Sequence, residues 1–284
     1  MLTTAIPAVT QSGKNLIIDA KGYDLALTLD CGQCFRFEPT GDGAFEGIAF
    51  GKYIRLYQDA PDRIVLLDTD INDAELWLGF LGLKLDWEAI KNDVASRSPV
   101  LSDAASLAGG IRILKQDEFE AIISFVISQC NNIPRIKGLI SALSQKFGSE
   151  IVSPSGKVFY SFPTAEALAS APISELRALK LGYRAEYVQN AAIAVNNGII
   201  EEIKAEESTE KAIKILRSVE GIGEKVAACA LLFGFGRLDA FPRDVWIKKA
   251  MAKYFPDCKD LSVFGPYAGV AQQYLFYRER YIEG

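Results

Sequence analysis

Two side chains in this sequence have the type and setting for covalent chemistry. Lys225 follows Glu220-Gly221-Ile222-Gly223, a short turn between two stretches of helical periodicity, and falls in the first turn of the second stretch. Glycines at 221 and 223 allow positive φ and a close approach of the backbone to another molecule. A helix starting near Glu224 leaves its first N–H groups unpaired, with the positive end of its dipole behind them. Such a turn is an anion site made of backbone, suited to a phosphate. Nineteen residues later Asp244 follows Pro242-Arg243, at what reads as another helix start. A neutral amine is a nucleophile towards an electrophilic carbon, and burial together with a helix N-terminus disfavours its charged form. A fixed carboxylate steadies positive charge developing at that carbon. A plain helical pair with surface charges remains an open alternative, since a lone Gly-x-Gly turn is a weak signal.

Composition narrows the chemistry. The 284 residues contain no histidine, which removes Ser-His-Asp and Cys-His catalysis and nearly every catalytic zinc site. Acid and base work falls to Asp, Glu, Lys, Tyr or Cys. The length allows one large or two to three small domains with a substantial core. With 49% hydrophobic and 24% charged residues the composition is that of an ordinary globular protein. A net charge of −5 speaks mildly against a nucleic-acid binder. Between Gly221 and Tyr254, however, six basic residues (Lys225, Arg237, Arg243, Lys248, Lys249, Lys253) face three acids (Glu224, Asp239, Asp244). Five scattered cysteines, with a single C-x-x-C at Cys31 and Cys34, do not make a zinc site and read as reduced thiols. No signal-length apolar stretch opens the chain, and none reaches a membrane span. The expected location is the cytoplasm of a prokaryote, alongside the nucleoid, or another intracellular compartment.

Residues 14–70 read as short strands: Asn15–Asp19, Tyr23–Leu29, Cys34–Glu38, Ala44–Phe50, Lys52–Tyr57 and Arg63–Leu67, broken by turns such as Thr40-Gly-Asp-Gly. From Asp73 onward the periodicity is helical. Asp117 caps a helix with Phe119, Ile122, Ile123 and Val126 on its buried stripe, which ends in the loop Ser128-Gln-Cys-Asn-Asn-Ile-Pro-Arg135. Gly182 closes one helix and leaves Tyr183 at a loop tip before Arg184. Ser208 caps the helix entering the Gly221 turn. The expected class is α+β, with an N-terminal antiparallel sheet domain over residues 1–104 and a mostly helical region over 105–284.

The combination GIGEKVA…FPRDVW resembles the helix-hairpin-helix DNA glycosylase superfamily, with the hairpin at about 208–236. Within it, Gly32-Gln-Cys-Phe-Arg-Phe and Gly265-Pro-Tyr-Ala-Gly-Val-Ala-Gln272 are similar to the 8-oxoguanine DNA glycosylase/AP lyases. The resemblance covers the chain from about Asn15 to Tyr281. It implies that Lys225 is the nucleophile and Asp244 the stabilising carboxylate. The Gly32 carbonyl would accept from N7–H of the oxidised base, a proton that guanine lacks. Gln272 would pair with the base edge, while Phe276 and Cys229 would stack on its faces, Phe276 from a C-terminal helix that completes the pocket. Asn131, Asn132 and Arg135 fall on the loop that enters the vacated gap and reads the orphaned cytosine. Tyr183 matches the wedge in the base stack and Arg184 a second arginine facing the cytosine. Gly221 and Gly223 would hold DNA phosphate through their N–H groups. The sequence departs from the family at Cys130, where the first of three asparagines is expected, and at Trp246, in place of a phosphate-contacting histidine.

The resemblance further implies base flipping, a Schiff base on Lys225, and strand nicking by β-elimination. The expected partner is double-stranded DNA containing oxidised guanine, bound by a monomer without a membrane. No cofactor, zinc or iron–sulfur cluster is expected; a structural monovalent cation could sit at the hairpin carbonyls. Two rivals stay open at this level: a glycosylase for a different damaged base, and a non-enzymatic binder of DNA structure that uses the hairpin as a phosphate clamp. A metabolic α+β enzyme has only the acidic net charge in its favour.

Overall fold

The computed structural model describes residues 7–258 and 260–283. Residues 1–6, on which the reading of the N-terminus partly rests, lie outside the described residues. The chain begins with β1 (Val9–Ser12), β2 (Asn15–Asp19) and a short helix α1 (Leu25–Asp30), then β3 (Phe37–Pro39), β4 (Ala44–Ala49), β5 (Lys52–Ala60) and β6 (Arg63–Leu67). Six strands form one sheet in the order β1-β2-β6-β5-β4-β3. Its registers pair Val9 with Ile18, Leu16 with Leu66, and Phe37 with Gly47, all antiparallel. Helices follow: α2 (Ala74–Phe80), α3 (Trp87–Ser96), α4 (Pro99–Ala108), α5 (Glu118–Ile127) and α6 (Ile133–Phe147). A small hairpin of β7 (Glu150–Val152) and β8 (Val158–Tyr160) precedes α7 (Ala165–Ser170), α8 (Ile173–Ala178), α9 (Arg184–Asn196) and α10 (Ile199–Ala205). The chain ends through α11 (Thr209–Arg217), α12 (Glu224–Phe233), α13 (Val245–Tyr254), α14 (Ala268–Tyr277) and a π-helical turn, Arg278–Ile282. The expected α+β class is what the chain builds.

Local signals fix most helix starts. Asp86, Ser98, Asp117, Asn132, Thr164, Ser208 and Asp244 each accept an N–H from their own first turn, a contact generally contributing about 1 kcal/mol. The structure differs from the sequence expectations at several points. Residues 23–29 are helical rather than extended: Asp24 caps the segment, and the buried positions are Leu25, Thr28 and Leu29, a helical spacing. The strand expected at Cys34–Glu38 shrinks to Phe37–Pro39, and the helical region contains the β7–β8 hairpin. Arg135 lies inside the first turn of α6 rather than in a loop, because Asn132 caps that helix through the Arg135 N–H. The helix α8 ends at Ala178, and Lys180 takes a left-handed conformation ahead of Gly182.

The chain packs into two compact units. One comprises residues up to Gln33, Tyr57–Lys115 and Gly236 onward; the other comprises Cys34–Leu56 and Gln116–Phe235. In the first, β2 turns Leu16 and Ile18 to one face, and Trp77, Phe80, Phe264 and Tyr274 fill the core. Arg112 is buried there; it donates to the carbonyls of Lys21, Gly22 and Gly109 and lies over the rings of Tyr23 and Trp87. In the second, α5 is buried at every residue from Phe119 to Ile127, not on one stripe alone, and α12 from Val226 to Phe233. Two helices apolar all round must cross each other inside a core. The rings of Phe125 and Phe233 stack where they do, 5.4 Å apart. Among the described residues no helix is long and apolar enough to cross a membrane.

Candidate active site

The second unit holds the amine. Gly221 has φ +95, and a Cβ there would lie 2.2 Å from the Tyr187 ring, so only glycine fits. Gly223 has φ −84 and open space around it, so the positive φ expected at both glycines is found at Gly221 alone. Gly223 occupies the N-cap of α12 without a capping side chain, and the first N–H groups of that helix have no side-chain acceptor. Ile222, buried between the glycines, pins the turn. Lys225 is half-buried; its Nζ donates to Ser128 Oγ at 3.1 Å and stands 5.4 Å from the centroid of Phe125. Ser128 Oγ donates in turn to the Phe125 carbonyl at 2.8 Å, so its lone pairs are left for the amine. Cys229, one turn along α12 from Lys225, is buried.

The same unit carries the residues assigned to DNA. Tyr183 is 51% exposed, directly before α9. Arg184 is buried at 5% exposure, its guanidinium 4.5 Å from the Tyr183 ring. Its Nε donates to the Gln129 carbonyl at 2.8 Å and its Nη2 to the Cys130 carbonyl at 3.2 Å. Asn132 and Arg135 are exposed at the start of α6, and the Asn131 amide donates to the Ile127 carbonyl. Cys130 is exposed and takes a left-handed φ of 48.

The first unit holds the carboxylate and the buried amides. Asp244 is half-buried and caps α13 through Oδ1, 2.8 Å from the Ile247 N–H. Beside it, Arg243, Lys248 and Lys249 are exposed, with Lys249 over the Trp246 ring. Gln272 and Phe276 are both buried, one turn apart on α14, and Gln272 Oε1 has no hydrogen-bond partner. Gly32 has φ +83. Gln33, fully buried, holds that turn: its amide donates to the Thr28 and Arg112 carbonyls, both at 2.8 Å, and its Oε1 accepts from the Leu114 N–H at 2.9 Å. Gln273, next to Gln272, donates to the Cys31 carbonyl at 3.4 Å. The Gly32 turn and α14 are therefore joined. Burial pushes the Cys31 thiol up to about 11, against the hydrogen bond from Gln33, which leaves it inert as a nucleophile.

Sequence reasoning missed Ser128 and Gln33. Ser128 opened a loop already singled out, but its partner lies 97 residues away, and those of Gln33 lie 79 and 81 away. Among the described residues no group of three or more His, Cys, Asp or Glu side chains could hold a metal ion. At the hairpin, the Gly221 carbonyl accepts from Gln129 Nε2 at 3.0 Å.

The second unit thus carries an amine beside a glycine turn, and the first unit a buried amide and a half-buried carboxylate. Residues 15–122 match the family model described as the 8-oxoguanine DNA glycosylase N-terminal domain, and residues 123–260 that of HhH-GPD superfamily base excision DNA repair proteins. The chain is 30% identical to the N-glycosylase/DNA lyase OGG1 of Arabidopsis thaliana, over 90% of this chain and 77% of that one. It is similar to the Clostridium acetobutylicum 8-oxoguanine glycosylase/lyase, solved in complex with double-stranded DNA containing cytosine opposite 8-oxoG. The TM-score is 0.89 and the identity 33%, over 96% of this chain and 97% of that one. The structure of MBOgg1 in complex with a low affinity DNA ligand aligns with a TM-score of 0.90 and 33% identity, over 98% and 99% of the two chains. This chain belongs to the 8-oxoguanine DNA glycosylase family, within the HhH-GPD superfamily of base excision DNA repair proteins.

Proposed function

We propose that this protein removes 8-oxoguanine from duplex DNA and then cleaves the strand at the site it has emptied. The observation that carries the reading is Lys225, a primary amine in the first turn of α12, held by Ser128 at a helix start that no side chain caps. The N–H groups that follow Gly223 at the start of α12, aimed by the Gly221 turn, grip phosphate and set the register of the duplex without reading bases. The lesion is flipped out of the stack, and Tyr183 fills the space it leaves. Asn131, Asn132, Arg135 and Arg184 act on the opposite strand, Arg135 at the orphaned cytosine and Arg184 through the carbonyls it holds. Gln272 pairs with the extruded base, Phe276 and Cys229 stack on it, and the Gly32 carbonyl accepts from N7–H. Guanine, with a lone pair at N7, would set two acceptors against each other.

Lys225 Nζ attacks C1′ with its lone pair while the glycosidic bond breaks, and the base leaves with that electron pair and is protonated. Asp244 steadies the positive charge at C1′. The amine then loses a proton, its lone pair forms the C1′=Nζ iminium as the C1′–O4′ bond opens, and O4′ keeps that bond's electron pair and takes up a proton. Loss of a proton from C2′ expels the 3′ phosphate with the electrons of the C3′–O bond and nicks the strand. A monovalent cation, if bound, is held by main-chain carbonyls of the hairpin and takes no part in these steps. The protein acts as a monomer on chromosomal DNA inside the cell. Borohydride reduction during turnover on an 8-oxoguanine·C duplex should trap a covalent complex with the wild-type protein. Lys225→Gln should abolish trapping and nicking while DNA binding survives; persistent trapping in that variant would rule out the assignment.

A further inference from the structure

Between the exposed tip at Tyr183 and the amine at Lys225 runs a continuous path of polar contacts through the segment 128–130. Arg184 is buried, and its guanidinium holds the carbonyls of Gln129 and Cys130. The Gln129 side chain reaches the other way: Nε2 donates to the Gly221 carbonyl at 3.0 Å and to the Val126 carbonyl at 3.1 Å. Ser128, the preceding residue, takes the Lys225 amine. The Gly221 turn is gripped from both sides, since the Tyr187 ring stands where a Cβ at Gly221 would be. Tyr187 in turn lies edge-on to Tyr183, with ring centroids 5.7 Å apart. One residue, Gln129, thus has its carbonyl fixed by the tip and its amide fixed to the hairpin. Cys130 beside it is kept at φ 48, a conformation that L side chains leave unless the surroundings hold them there.

We propose that Gln129 is a positioning residue that ties the seating of the Tyr183–Arg184 tip on duplex DNA to the placement of Lys225. The inference rests on the function proposed above. When the tip enters the duplex, Arg184 carries the Gln129 backbone with it, and the Gln129 amide draws on the Gly221 carbonyl four residues ahead of the nucleophile. Attack is then favoured when the opposite strand is engaged, and a base flipped from an unseated strand meets a less well aligned amine.

The test compares single-turnover borohydride trapping on an abasic nucleotide in duplex and in single-stranded DNA. Wild-type protein should trap faster on the duplex. Gln129→Leu should lower the duplex rate about tenfold and leave the single-strand rate within about twofold, so that their ratio collapses. A residue that merely supports the fold would lower both rates and preserve the ratio, and that outcome would overturn the proposal. Equal wild-type rates on the two substrates would also overturn it. Absence of any wild-type trapping would instead sink the reading on which it rests. If Gln129→Leu loses its native circular dichroism, Gln129→Asn, one methylene too short to span to Gly221, is measured in the same way with the same expected ratio.

Discussion

Two buried glutamines in the first unit make opposite uses of the same side chain. Gln33 spends its hydrogen-bonding capacity inside the protein, on the carbonyls of Thr28 and Arg112 and the N–H of Leu114. Gln272 is almost as deeply buried, yet its Oε1 has no hydrogen-bond partner among the described residues. A buried acceptor without a partner costs about 1–3 kcal/mol, and native structures keep few of them. Gln33 is therefore a fastener, which holds the Gly32 turn at its positive φ. On the function proposed above, Gln272 is a recognition group, carried at a loss until a ligand supplies the donor. Burial by itself would have put the two in one class; the accounting of partners separates them.

The largest effect should come from the fastener. Gln33→Leu keeps the volume but strands the Arg112 carbonyl and the Leu114 N–H and leaves the Thr28 carbonyl only the weak Cys31 thiol donor, and should cost about 3–5 kcal/mol, read as a drop in the urea midpoint at unchanged slope. A loss under 1 kcal/mol would erase the distinction drawn here. Gln272→Leu should do the reverse. Stability should stay level or rise by up to about 1 kcal/mol, while excision of 8-oxoguanine falls on the order of 10²-fold and nicking of preformed abasic sites persists. Equal losses on both substrates would make Gln272 a fastener too.

A smaller effect sharpens the comparison with a third buried group. Glu120 pairs with Arg36 at 3.2 Å, both side chains about one-tenth exposed, and burial pushes its carboxyl up to about 7 against the pull of Arg36. The folded form then binds more protons than the unfolded chain between the ordinary carboxylate range and about 7, so stability falls as pH rises through that window and levels off above it. This group should account for a decline on the order of 1–3 kcal/mol between pH 5 and pH 8. Glu120→Gln should flatten that part of the urea-midpoint profile, and an undiminished slope would show that other groups titrate there. A partner is thus no guarantee that a buried charge is comfortable.

What the sequence disclosed followed the range of the contacts. The caps at Asp117, Ser208 and Asp244 were legible because each bonds an N–H three residues on. The Gly221 turn and the amine after it were legible for the same reason. The alternation Leu25, Leu27, Leu29 suggested a strand; what buries Thr28 instead is the Arg112 N–H, 84 residues away, donating to its hydroxyl. Arg184 could be placed only as the helix start behind the Tyr183 tip; nothing nearby in the chain announces that it is buried, with carbonyls 54 and 55 residues earlier as its acceptors. Ser128 and Gln33 were passed over on the same ground. The local half of the site could be read; its second layer is made by the fold.

The tight fit of the Tyr187 ring against Gly221 has an evolutionary consequence. A methyl group at 221 would need the space the ring occupies, and φ +95 would strain it even with the ring gone, so position 221 is expected to stay glycine across descendants of this sequence. Position 187 can then vary only among side chains that still pack flat against that glycine.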